Sequence, residues 1–190
     1  MKNDSERWLK EKAKELLKEV GIKKGQIVLD FGCGCGYYTI PAAKIVGNKG
    51  KVYALDKDRS SLHEVMQRAN SQRLENIQII QTSGELKIPL EDESVDIVLL
   101  YDVLHSYYFS PTGRKELLAE IHRISKPNAL ISVFPKHMDS EDLRDEMEEA
   151  NFHFERRLLV TLFHAHSLEQ DYLLNFRKKM RVHLEGSVLN

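Results

Sequence analysis

Apolar and polar positions along the chain change period again and again. Residues 5–20 place Leu9, Ala13, Leu16, Leu17 and Val20 on one stripe at helical spacing, with Trp8 beside it. Asp4 or Ser5 is available to cap that helix and Gly21 to stop it. The period then collapses into a continuous run, Ile27-Val28-Leu29, as in a strand buried on both faces. Helical spacing returns with Tyr38, Ile40, Ala42, Ala43 and Ile45, and the turn cluster Gly47-Asn48-Lys49-Gly50 closes the helix. The pattern predicts a strand over 51–56 and a helix over 59–73 with Leu62, Val65, Met66 and Ala69 inward. Strands follow over 76–80 and 95–101. The second is continuously apolar and belongs at the centre of a sheet. A helix opened by Thr112-Gly113 turns Leu117, Leu118, Ile121 and Ile124 inward. A strand over 130–134 and a short helix over 139–150, capped by Asp139 or Ser140, come next. Two closing strands over 152–160 and 171–177 precede a tail. Such alternation predicts a three-layer α/β sandwich with a mainly parallel sheet.

Composition narrows the class. A chain of 190 residues, 42% apolar and 30% charged, fits one domain, with 1–20 as a leading helix and 179–190 as the tail. Net charge is −1 and no Lys/Arg stripe is present, which speaks against nucleic acid as a partner. The polar opening Met-Lys-Asn-Asp-Ser-Glu-Arg does not read as a signal peptide, and the apolar runs are too short for a membrane span. Two cysteines, Cys33 and Cys35, give no disulfide framework, so a cytoplasmic setting is expected.

The candidate chemistry begins where the first strand ends: Asp30-Phe31-Gly32-Cys33-Gly34-Cys35-Gly36. Glycine at alternate positions permits positive φ and lets a ligand lie against the main chain, and the helix behind the turn offers unpaired N–H groups. A dinucleotide site wants G-x-G-x-x-G/A, but the third position is Tyr37 counted from Gly32, or Thr39 counted from Gly34. The pattern D-x-G-x-G-x-G instead resembles motif I of the class I S-adenosylmethionine (SAM)-dependent methyltransferases. The resemblance covers roughly residues 20–178. It implies a Rossmann-like sandwich of seven strands with the last antiparallel, and S-adenosyl-L-methionine as cofactor, held at this turn by Asp30, Gly32, Cys33 and Gly34.

Further positions carry candidate roles. Asp56 ends the second strand, 20 residues beyond Gly36, the distance at which an acid reaches ribose hydroxyls. Its competing role, capping the next helix, is open equally to Asp58. Lys57 stands where the family more often packs an apolar residue on adenine; its aliphatic stem can serve there. Ser83-Gly84-Glu85 replaces the family's Gly-Asp-Ala, so the adenine contact falls to Glu85 or to backbone near Gly84, unless Glu85 is only a solvated loop acid. Tyr101-Asp102-Val103-Leu104-His105 leaves the fourth strand and resembles the family's "vLHH" segment. Tyr101, Asp102 and His105 are therefore the candidate catalytic residues, with Tyr101 also near the cofactor. For His105 a structural role at a helix start is the alternative, and His137, past the fifth strand, is the reserve candidate. His164-Ala165-His166 has metal-like spacing, but no carboxylate or cysteine cluster accompanies it in sequence. It reads as a polar hairpin, with no metal expected.

Methyl transfer is an in-line displacement at a sulfonium carbon, in which the protein mainly orients the nucleophile; a base is needed only where the acceptor must lose a proton. The chain carries no inserted substrate domain, so a small molecule and another protein both fit as acceptor; a small molecule is the expectation. The scarcity of cysteine argues against the arsenite-methylating branch. Two rival classes stay open. One is an NAD-type oxidoreductase, against which the glycine spacing speaks. The other is a non-catalytic SAM-binding protein.

Overall fold

The structure, a computed structural model, describes residues 12–164 and 167–180. Trp8, the proposed cap of the first helix and most of the tail lie outside those residues. The elements in chain order are α1 (Ala13–Val20), β1 (Ile27–Phe31), α2 (Thr39–Val46), β2 (Lys51–Asp56), α3 (Arg59–Ser71) and β3 (Ile77–Gln81). They continue as β4 (Val95–Tyr101), α4 (Pro111–Ile124), β5 (Ser125–Phe134), α5 (Ser140–Glu149), β6 (Phe152–His164) and β7 (Ser167–Lys178).

The seven strands form one sheet in the order β3-β2-β1-β4-β5-β7-β6, with β4 in the middle. β1 to β5 run parallel, and β7 is antiparallel to both β5 and β6. Alternate side chains of each strand feed opposite cores. Val28, Val52, Ile97 and Leu99 pack beneath α1 and α2 on one face. Leu29, Val98, Leu100 and Val133 pack beneath α4 and α5 on the other, where Leu117, Leu118, Leu143 and Met147 are fully buried. Strands covered on both faces cannot alternate polar and apolar residues, which is why β4 reads as a continuous apolar run.

Helix ends follow their local chemistry. Asp58 caps α3 by accepting from the N–H groups of Ser60 and Ser61, and Asp139 caps α5 through Glu141 and Asp142. Ser110 caps α4, with Pro111 in its first turn, so that helix starts ahead of Thr112. Asn128, at the irregularity in β5, and Asn151, after α5, take positive φ (61° and 64°), a conformation asparagine tolerates.

Three expectations are corrected. Met66 is 42% exposed; in α3 only Leu62, Val65 and Ala69 are buried. β5 begins at Ser125 and carries an irregularity opposite Val95–Ile97, because Pro127 and Asn128 interrupt regular pairing before Leu130. Most consequentially, β6 and β7 are long, and their ladder runs on to the pair His164–Ser167. His164 therefore stands at the end of a paired strand and not in a loose connection. No helix among the described residues is long and apolar enough to cross a membrane.

Candidate active site

In this sheet the strand order reverses between β1 and β4, and parallel α/β sheets take ligands at the carboxyl ends of the strands flanking such a point. The glycine turn lies there. Gly32, Gly34 and Gly36 all have positive φ (72°, 48° and 80°). The N–H groups of Gly32 and Cys33 both donate to the Leu55 carbonyl, at 2.8 and 3.0 Å, which ties the turn to the end of β2. Cys33 is buried against Ala54, Leu62 and Val65, and burial pushes its thiol well above the ordinary range, so it serves packing.

Asp30 sits under the turn, almost without exposure, and accepts a 2.5 Å hydrogen bond from the Thr39 hydroxyl. Burial pushes its carboxyl up to about 7, with Thr39 opposing and nearby Asp56 reinforcing the rise. Asp56 ends β2 at the rim. Its Oδ2 accepts from Gly34 N–H at 2.8 Å and its Oδ1 from Asp58 N–H at 2.9 Å. Because Asp58 caps α3, Asp56 is spared that duty. Lys57 is exposed, its Nζ 5.2 Å from the centre of the Tyr108 ring. Gly84 and Glu85 are exposed in a turn beyond β3, where Gly84 N–H donates to the Thr82 hydroxyl.

The rim beyond β4 is more crowded than the sequence suggested. Tyr101 turns away from it: buried, its hydroxyl is 3.1 Å from that of Ser132 and its ring is edge-on to Tyr38. Burial raises its phenol above the ordinary range, so it stays protonated and has the place of a packing residue. Asp102 has positive φ (57°), which directs it out of the strand. His105 is buried; its Nδ1 accepts from Tyr107 N–H at 3.2 Å, which leaves the proton on Nε2, 3.6 Å from Asp102 Oδ1. The Tyr108 ring, 4.6 Å from that of His105, lies 5.2 Å from Lys57 Nζ, so residues 105–108 link the segment after β4 to the residue after β2.

Two further groups arrive from distant elements. His137, past β5, brings Nε2 to 3.8 Å from Asp102 Oδ1. His164, at the tip of the β6–β7 hairpin, places Nε2 2.8 Å from Asp102 Oδ2 and Nδ1 3.1 Å from Glu169 Oε1. The carboxylates that His164 lacked in sequence are thus supplied by β4 and β7. His166 lies outside the described residues. Among the described residues Asp102 Oδ1 and Glu169 Oε1 are both buried without a hydrogen-bond partner, the 3.1 Å approach of His164 Nδ1 to Glu169 lying outside hydrogen-bond geometry. Beside this cluster a cleft of about 480 Å³, lined by His105, His137 and Met138, runs between α4 and α5.

Residues 28–128 match the family described as "Methyltransferase domain". The chain belongs to the class I SAM-dependent methyltransferases. A SAM-dependent methyltransferase from Aquifex aeolicus superposes with a TM-score of 0.74 at 27% identity, over 90% of this chain and 92% of that one. Curated demethylmenaquinone methyltransferases are similar in sequence. One from Geobacillus stearothermophilus is 31% identical over 117 residues, 62% of this chain and 48% of its own. One from Staphylococcus aureus (strain MRSA252) is 26% identical over 160 residues, 84% of this chain and 64% of its own. The match therefore spans about half to two thirds of those relatives' length.

The cofactor of this methyltransferase family is SAM, and the turn fits it. A Cβ built on Gly34 meets nothing within 4 Å, so that face of the turn is an open cradle, whereas one on Gly32 runs into Val103 at 2.8 Å. The two glycines separate experimentally. Gly34→Val is expected to abolish SAM binding, read by calorimetry, while the sheet stays folded. Gly32→Ala is expected to lower stability because it strikes the core. Normal SAM binding by Gly34→Val would show that the ligand lies elsewhere.

Asp30 makes stability pH-dependent. Its folded carboxyl is pushed up to about 7, while in the unfolded chain it keeps the ordinary 3.8. The native state therefore holds the proton more tightly, and this group's stabilising contribution is present below about pH 4 and lost as pH rises through 7. Asp30→Asn removes that loss. Its gain over the parent protein, from denaturant titration, should grow from pH 4 to pH 7 to roughly 2–4 kcal/mol and then level off. A constant difference across that window would refute the assignment.

Proposed function

We propose that this methyltransferase moves the methyl group of SAM to a small, polar acceptor that enters by the cleft beside Asp102. The observation that carries this reading is the junction of two features at the switch point: a glycine cradle braced by Asp56, and a buried, unbonded carboxylate oxygen on Asp102. SAM, when bound, supplies a methyl group already activated on a sulfonium.

The chain's own residues do the rest. The backbone of Gly32, Cys33 and Gly34 supports the cofactor's methionyl end, and Asp30 with Thr39 stiffens the turn from below. Asp56 keeps lone pairs for both ribose hydroxyls while Gly34 and Asp58 fix its orientation. Its charge repels a 2′-phosphate. Lys57, Gly84 and Glu85 border the adenine end. Asp102 Oδ1 accepts the acceptor's O–H or N–H proton and so aims its lone pair. His105, whose Nδ1 is committed to Tyr107, holds Nε2 3.6 Å from Asp102 Oδ1, beyond hydrogen-bond distance, and acts as a positioning residue. Orientation of this kind supplies about 7–11 kcal/mol in favourable cases.

The cleft's lining supports a polar acceptor. Five carboxylates, from α5 and its cap, face two fixed cations, Arg114 and Lys115. Arg114 is already neutralised by Glu146, at 2.6 Å, and Lys115 by Glu149, at 3.0 Å. Neutral or cationic nucleophiles suit such a surface. Demethylmenaquinone, the substrate in the names of the curated relatives, is not the acceptor this charged lining favours. The test has two stages. Calorimetry with SAM and with NAD asks which cofactor binds; NAD alone would overturn the reading. S-adenosylhomocysteine formation is then followed with small amines, phenols and thiols, and with a short-chain demethylmenaquinone. Turnover confined to the quinone would overturn the polar-acceptor part.

A further inference from the structure

Asp102, His137 and His164 come from three separate elements, after β4, after β5 and at the end of β6, and they converge on one point at the rim. One donor atom from each lies within 4.8 Å of the other two. We propose that these three side chains bind a divalent transition-metal cation of the Zn²⁺ type, a site distinct from the glycine cradle.

Donor chemistry supports this. Two imidazoles and one carboxylate suit borderline cations and suit Mg²⁺ or Ca²⁺ poorly. Tetrahedral coordination at bond lengths of 2.0–2.2 Å holds donor atoms roughly 3.3–3.5 Å apart. Asp102 Oδ2 and His164 Nε2, at 2.8 Å, need to part by about half an ångström by that measure. His137 is 54% exposed and free to turn inward. Three protein ligands leave a fourth position for water or a substrate atom. Because His137 also lines the 480 Å³ cleft, a ligand entering from the cleft reaches that position.

The surroundings of the ligands are those of a metal site. His164 Nδ1 faces Glu169 Oε1 at 3.1 Å, and Glu169 Oε2 is held in turn by Lys136 Nζ at 2.8 Å. A carboxylate stands beside the far nitrogen of ligating histidines, and Glu169 has that place here, needing a small turn of the His164 ring to complete the hydrogen bond. His105 is not a ligand: Tyr107 N–H occupies its Nδ1, so its Nε2 carries hydrogen and points at Asp102 Oδ1. Ligation through Oδ2 leaves Oδ1 to His105 and the acceptor.

The measurement is independent of catalysis and of SAM, so its failure leaves the methyl-transfer reading standing. Protein stripped with chelator is dialysed against Zn²⁺, and bound metal is determined by elemental analysis, with affinity by competition against a chromophoric chelator. One equivalent is expected, retained against excess Mg²⁺. His137→Ala, at an exposed position, keeps the fold and should weaken binding at least tenfold; His164→Ala should do so as well. Glu169→Gln, acting through His164, should cost 10- to 100-fold. Absence of stoichiometric Zn²⁺ would overturn the proposal, leaving Asp102, His164 and Glu169 as a structural clasp between the hairpin and the rim. So would Zn²⁺ unaffected by His137→Ala and His164→Ala but lost in Cys35→Ser, which would place the metal on the glycine turn.

Discussion

Replacing Asp56 with alanine is expected to weaken SAM binding about 10- to 150-fold. The estimate rests on charge-assisted hydrogen bonds to the ribose hydroxyls, together about 1.5–3 kcal/mol, converted at 1.4 kcal/mol per tenfold. The structure adds a second loss. Asp56 Oδ2 holds Gly34 N–H at 2.8 Å, so removing the carboxylate also frees the turn on which the methionyl end rests. Global stability should change little. Asp58 retains the cap of α3, and Gly32 and Cys33 retain their bonds to Leu55. Asp56→Asn keeps one acceptor oxygen without the charge and should fall between. Calorimetry on folded variants decides the matter, and an unchanged affinity for Asp56→Ala would sink the ribose assignment.

Asp56 was legible because its signal is local: an acid at a strand end, 20 residues past a glycine turn. The same holds for the parallel part of the sheet. β2 and β4 fall on the residues their apolar runs pick out, and β1 exceeds its run only by Asp30 and Phe31. Asp30 read as the acid that ends β1, yet it is a strand residue buried under the turn, because Thr39 returns from α2 to satisfy it. The far edge was harder. β6 carries Glu155, Arg156 and Arg157 at exposed positions, and those charges blur the alternation on which strand lengths are judged. Its continuation through Leu162, Phe163 and His164 depends on pairing with β7 and on the neighbouring core, where Leu162 is fully buried.

The histidine cluster was legible least of all. Asp102 and His164 are 62 residues apart, and no spacing rule connects them. What joins them is topology. β7 inserts antiparallel between β5 and β6, so the β6–β7 hairpin tip lies at the end of the sheet where β4 and β5 deliver Asp102 and His137. Motif resemblance pointed to Tyr101, Asp102 and His105 as one group. The structure keeps Asp102 and His105 together and sends the Tyr101 hydroxyl to Ser132. Parity explains the split: consecutive strand residues face opposite sides, and Tyr101 shares a face with Leu99 in the core under α1 and α2.

That division of roles leads to the second large effect. Asp102→Asn should lower turnover with a competent acceptor by roughly 10²–10⁴, the range for loss of a positioned proton acceptor. SAM affinity should stay near that of the parent protein, because none of the bonds that brace the glycine turn involves Asp102. Asparagine tolerates the positive φ of this position, and its amide still offers His164 a partner, so the hairpin remains attached. His105→Asn is the informative companion. Its amide can still donate towards Asp102, so turnover should fall by about tenfold or less if His105 acts by positioning, and by 10²–10⁴ if His105 itself takes the proton. The pH profile separates the two further: loss of a base removes one limb of the profile, whereas loss of a positioning histidine leaves its shape intact. Turnover of Asp102→Asn equal to that of the parent protein would remove the carboxylate from the chemistry and leave orientation by the cofactor cradle as the whole mechanism.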